Sequence, residues 1–149
     1  MPNRRSFILA GVAIGLAGCL GDRDDTVDHR GDIAIIVDGD PVDLSKDRYQ
    51  AEHADDYAMS FHFHESSDQW YNEGDGPITL ADGLDKLPEF SFEMTDDGAV
   101  LTIDDEIYDA REGGVSIRTL VNEEEIDPTT YELADSDTIM IEISTGEGT

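Results

Sequence analysis

Two short runs, Ile33-Ala34-Ile35-Ile36-Val37 and Thr138-Ile139-Met140-Ile141-Glu142-Ile143, set the terms for this chain. Each is too short for a free-standing helix and too apolar to be left in water. Each therefore reads as a strand with at least one buried face. Charge sharpens the requirement, because 36 acidic side chains face only 9 Lys and Arg, a net charge of −27. Acidic chains without β-branched and aromatic runs stay disordered. This one has such runs and must fold against its own repulsion, which molar salt suppresses as the screening length falls to ~3 Å at ~1 M. With 149 residues there is room for one domain. Nucleic acid is not an expected partner, since a phosphate backbone is bound by basic surface that this chain lacks.

The periodicity predicts an α+β domain over 32–145, a mainly antiparallel sheet of β-hairpins with one main helix at about 79–87 and a disordered tail at 146–149. Ile33 to Val37 meets the turn signal Asp38-Gly39-Asp40-Pro41 and forms a first hairpin. Tyr57 to His64 alternates, which places Met59, Phe61 and Phe63 on a core face and Ser60, His62 and His64 on the other. Gln69 to Asn72 is expected to pair with it. Leu80, Leu84 and Leu87 then share a helical stripe, Thr79 and Asp82 are spaced as a capping box, and Pro88 ends the helix. Phe90–Met94 and Val100–Ile103 flank Asp96-Asp97-Gly98 as another hairpin. Val115 to Val121 leads through Asn122-Glu123-Glu124 to Ile126, and Thr138 to Ser144 is the last strand.

The amino terminus carries an address. Arg4-Arg5-Ser6-Phe7-Ile8-Leu9 is followed by uncharged apolar or small residues to Leu20, the pattern of an export signal over 1–18. The arginine pair with its Phe and aliphatics resembles the twin-arginine motif. Leu16-Ala17-Gly18-Cys19 is similar to a lipobox, which implies cleavage before Cys19 and a lipid on its thiol. Cys19 is the sole cysteine and has no intramolecular disulfide partner. The apolar stretch is shorter than the ~20 residues of a spanning helix. Residues 19–31 then read as the lipidated cysteine and a flexible acidic tether. Cleavage leaves 36 acidic and 7 basic side chains, a net charge of −29. With Lys46 and Lys86 its only lysines, the chain resembles the exported lipoproteins of halophilic archaea. That resemblance implies lipid anchoring on the outer face of the cell membrane.

Leu120-Val121-Asn122-Glu123-Glu124-Glu125-Ile126-Asp127-Pro128 and Tyr131-Glu132-Leu133-Ala134-Asp135-Ser136-Asp137-Thr138-Ile139 resemble the C-terminal part of β-grasp, ubiquitin-like sulfur-carrier proteins. The resemblance implies a β-grasp-like fold. Glu123 and Ser136 stand where that family tends to place glycine, and the chain ends Gly146-Glu147-Gly148-Thr149 without its terminal Gly-Gly, so sulfur transfer is not implied. Ile36 to Asp43 shares the design of Leu120 to Asp127, a hint of two similar β units.

Chemistry is sparsely signalled. His62 and His64, two apart on a strand, project from one face and can converge on one cation, with His53, Glu65 or Glu73 as further candidate ligands. Such a site suits Cu²⁺ or Zn²⁺. The ordinary alternative, polar residues on a solvated face, is favoured by the lack of a recognised ligand motif. The acidic doublets Asp24-Asp25, Asp55-Asp56, Asp96-Asp97 and Asp104-Asp105 lack EF-hand spacing: Asp38-Gly39-Asp40 opens like such a loop, but Tyr49 stands where its bidentate Glu belongs. Trp70-Tyr71 reads as core rather than as a binding patch. No Gly-x-Ser-x-Gly, phosphate loop or His-Glu-x-x-His occurs. The expected function is thus a non-enzymatic, membrane-anchored extracellular module binding a protein or small ligand, with a metal-binding lipoprotein as the alternative.

Overall fold

The computed structural model describes residues 27–146. The residues expected to form the signal and the lipidation site, Arg4, Arg5, Leu16, Ala17, Gly18 and Cys19, lie outside them. Among the described residues, nine strands and one α-helix follow in order: β1 (His29–Val37), β2 (Asp40–Pro41), β3 (Gln69–Asn72), α1 (Leu80–Lys86), β4 (Phe90–Thr95), β5 (Gly98–Ile103), β6 (Glu106–Asp109), β7 (Ser116–Val121), β8 (Glu124–Glu125) and β9 (Ile139–Ser144). Two 3₁₀ turns, Asp47–Tyr49 and Ala51–His53, lie between β2 and β3.

The larger sheet runs β2-β1-β9-β7-β8, with β3 pairing the first half of β1; β4-β5-β6 form a separate three-stranded sheet. The α+β class and the dominance of antiparallel pairing hold. The exception is at the centre, where β9 lies parallel to β1 with Ile139 opposite Ile33 and Ile143 opposite Val37. Ile33 and Ile35 on β1 and Ile139, Ile141 and Ile143 on β9 are all buried. Alternation on neighbouring strands thus builds one continuous apolar face. Both flanking hairpins turn through two residues of positive φ, Asp38 and Gly39 in one and Asn122 and Glu123 in the other. Such turns match the right-handed twist of the strands they join, so the similarity of the two hairpins is one of turn geometry.

The helix forms where its stripe and cap predict. Thr79 Oγ1 accepts from the Asp82 amide at 3.2 Å, and Leu80, Leu84 and Leu87 are buried in the same core as the sheet isoleucines. The hairpin around Asp96-Asp97 also forms, extended by β6 as a third strand.

Two expectations are corrected. The tether expected over 19–31 ends earlier, because β1 begins at His29 and the Val27 amide donates to Gly74 O at 2.8 Å. Tyr57 to His64 is not a continuous strand: Phe61 N donates to Ala58 O across a tight turn, and isolated bridges, His62 with Tyr71 and Phe63 with Gln50, with the Glu73–Met59 backbone bond, tie the segment to its neighbours in place of a ladder. Met59, expected in the core, is 48% exposed at that turn. The full ladder of β3 is with β1, His29 opposite Asn72, and the expected pairing with the 57–64 segment is realised only at His62 and Tyr71, which exchange both backbone bonds, and just past β3 where Glu73 meets Met59.

Asp137 fastens this layout. Its buried carboxylate accepts from Asn122 Nδ2, Tyr131 Oη and the Ala134 amide at 2.8–3.0 Å, while its carbonyl accepts from Trp70 Nε1 at 2.9 Å. A carboxylate so fully served by donors is held by charge-assisted bonds.

Candidate metal centre

Past the Ala58–Phe61 turn the chain is extended, so successive side chains alternate. Phe61 and Phe63 go into the core, both fully buried. His62 and His64 leave on the opposite side, their rings 5.3 Å apart between centroids. That side is not solvated as expected, because Tyr71 covers it. His64 lies 3.8 Å and His62 5.9 Å from the Tyr71 ring, and His62 is only 2% exposed.

Glu73 joins the pair through backbone bonding. Its amide donates to Met59 O at 2.7 Å, which brings the end of β3 against the Ala58–Phe61 turn. One ligand atom from each of His62, His64 and Glu73 then falls within 4.8 Å of the others. The three line a cleft of about 170 Å³ with Ala51, Glu52 and Tyr57.

The hydrogen bonds of His62 fix its tautomer. Nδ1 lies 3.0 Å from Ala58 O, a pure acceptor, so Nδ1 must carry a proton. In the neutral ring Nε2 is then a lone pair, and it faces Glu73 Oε1 at 3.0 Å. The rule that places a proton on Nδ1 asks equally for a proton on Nε2, or for a cation shared by Nε2 and Oε1, and an imidazolium satisfies both contacts without a metal. His64 contributes a second anomaly, for its Nε2 is buried without a hydrogen-bond partner. Its Nδ1 lies 3.8 Å from Glu52 and 3.7 Å from Glu65. Burial pushes the Glu52 carboxyl up, but the Glu65 amide, donating at 2.7 Å, and the adjacent histidines hold it below its ordinary value.

Of the sequence candidates, His62, His64 and Glu73 are brought together. His53 is not: it ends the second 3₁₀ turn, exposed, with Nε2 3.5 Å from Asp47. Glu65 sits at a positive-φ turn position outside the three-residue group. Sequence reasoning missed Glu52, Tyr57 and the Ala58 carbonyl. Only the last left a trace, in its place four residues before His62.

The Trp70-Tyr71 pair splits between roles. Trp70 is core, fully buried and stacked 5.8 Å from Phe61, whereas Tyr71 roofs the histidines. No helix among the described residues is long and apolar enough to cross a membrane. No protein-family model matches the chain, and neither a curated protein nor a solved structure matches it significantly.

Proposed function

We propose that this chain is an exported, lipid-anchored binding protein of a halophile that holds a borderline transition-metal ion, Cu²⁺ or Zn²⁺, at His62, His64 and Glu73 without catalysing a reaction. One observation supports the metal above all: the Nδ1–H of His62 is committed to a backbone carbonyl, so its Nε2 lone pair and the Glu73 carboxylate converge on one point. Orientation of a ligating imidazole through its other nitrogen is the usual outer-shell device of metal sites. Two imidazoles and one carboxylate suit Cu²⁺ or Zn²⁺ better than the hard Mg²⁺ or Ca²⁺, which take oxygen.

The anchor and the outer face of the cell membrane rest on the Arg4-Arg5 and Leu16-to-Cys19 motifs, and the halophilic setting on the −27 charge. We also read the domain as an elaborated β-grasp. In support, the first and last strands pair in parallel between two similar hairpins, and one helix intervenes in sequence.

Titration of the purified chain with Cu²⁺ and Zn²⁺ near pH ~7.5 in ~1 M salt, where loose surface association is screened, tests the assignment. Stoichiometric binding by the wild type is expected. The Glu73→Gln variant, changed at a half-exposed position, should bind at least about tenfold more weakly, and His62→Gln/His64→Gln should lose the site. Equal binding by all three proteins rejects it.

A further inference from the structure

A second concave feature shares no residue with the metal centre. Between the three-stranded sheet and the β7–β8 end of the larger one lies a groove of about 310 Å³. Buried Phe92 and Ala99 and half-buried Ile117 and Ile126 form its floor, and exposed Glu125 and Asp127 stand at its rim. Met94, 41% exposed, is its lip. We propose that this groove docks an extended segment of a partner protein in which a bulky apolar side chain is flanked by Lys or Arg.

Size, charge and backbone lead to the same occupant. A volume near the ~300 Å³ lower end of ligand pockets takes one or two side chains rather than a large cofactor. The apolar floor sets what the inserted group must be, and a flexible thioether at the lip adapts to its shape. None of the residues lining the groove is basic. Glu125 lies 3.8 Å from Arg118, but that guanidinium is drawn to Glu142 at 2.7 Å. Asp127 accepts from the Thr129 amide and hydroxyl at 2.9 and 2.7 Å, which hold its carboxyl below the usual range and keep it ionised. The rim is therefore anionic and short of cations. At ~0.1 M salt, where the screening length is ~10 Å, a second copy of this chain, carrying the same net charge of −27, is repelled, as is any anionic surface. A cationic segment is attracted. Extended backbone suits the site because β8 ends its sheet among the described residues, leaving a strand edge beside the groove.

The test uses the full chain, fluorescently labelled, on an array of synthetic decapeptides with Leu, Ile, Phe or Met between two Lys or Arg. Each has two controls: one with both cations changed to Glu, one with the apolar residue changed to Ala. Cationic apolar peptides should bind, and both controls should bind at least about tenfold more weakly at ~0.1 M salt. In ~2 M KCl the penalty for charge reversal should shrink while the penalty for Ala persists. Ile117→Lys should abolish capture, and Thr129→Trp, which fills the groove from its exposed rim, spares the core and gives up only the hydroxyl bond to Asp127, should do the same while circular dichroism shows the native fold. The proposal is overturned if no cationic apolar peptide is captured, if charge-reversed peptides bind equally at low salt, or if Thr129→Trp binds like wild type.

Discussion

A Cβ added to Gly83 would stand 2.7 Å from Cγ of Phe61. The helix is therefore seated on the ring that immediately precedes His62, and the closeness of that seat depends on the missing side chain. Glycine in a helix interior ordinarily costs about 1 kcal/mol relative to alanine, so Gly83→Ala would stabilise a free helix. Here overpacking against a fully buried ring, at a cost of roughly 1–3 kcal/mol, outweighs that gain. The variant is expected to be less stable than wild type in chemical denaturation. A higher midpoint would show that Phe61 can move aside.

The second prediction concerns acid. Arg48 Nε and Nη2 donate to the two oxygens of Asp104 at 2.7 and 2.8 Å, and Tyr49 Oη donates to the same carboxylate at 2.6 Å. The Arg48 bonds, with help from Tyr49, pull the Asp104 carboxyl from 3.8 down to about 2. A depressed carboxyl adds stability that is complete above its unfolded value and disappears as pH falls through its folded one. The stability gap between wild type and Arg48→Ala should thus be constant above pH ~4 and close between pH ~4 and ~2. Because both side chains are partly exposed and solvent screens the pair, the gap should be small. At the alkaline end the sign reverses. Burial, with the Asp104 contact, raises the Tyr49 phenol to about 12, so its contribution is full below pH ~10 and lost as pH climbs through ~12. Thermal melts of both proteins across pH measure both limbs.

Much of this fold is legible in local sequence, because it rests on local rules. Ile33–Val37 and Ile139–Ser144 alternate or run apolar, Asp38-Gly39 turns, and Thr79 caps. What sequence conceals is partnership across distance. Nothing local says that β1 and β9, some hundred residues apart, lie parallel; a shared buried face decides it. Glu106–Asp109 is too short and polar to announce itself as a strand, and it forms because β5 offers an open edge. At the candidate centre the i, i+2 spacing of His62 and His64 was readable, but burial was not. His62 is buried because Tyr71, on a strand held by β1, and Glu73, just past its end, close over it. His53, as near in sequence to the pair as Glu73, was equally plausible and is excluded by the 3₁₀ turn that carries it outward.

The third prediction addresses the address itself. If Leu16-Ala17-Gly18-Cys19 is cleaved and lipidated, Cys19→Ser should leave the signal uncleaved or release the protein into the medium, since no other thiol can take the lipid. Mass spectrometry of membrane-bound wild type should find residue 19 as the modified amino terminus; an unmodified Cys19 in mature, membrane-bound protein rejects the anchor. Changing Arg4-Arg5 to Lys-Lys preserves charge and removes the planar guanidinium pair that distinguishes twin-arginine export from general secretion. Surface protein should then be lost and full-length precursor should accumulate inside the cell. Unchanged surface levels would assign the chain to general secretion, and would leave the candidate metal centre and the groove untouched, since both are built from Ala51 and residues after it.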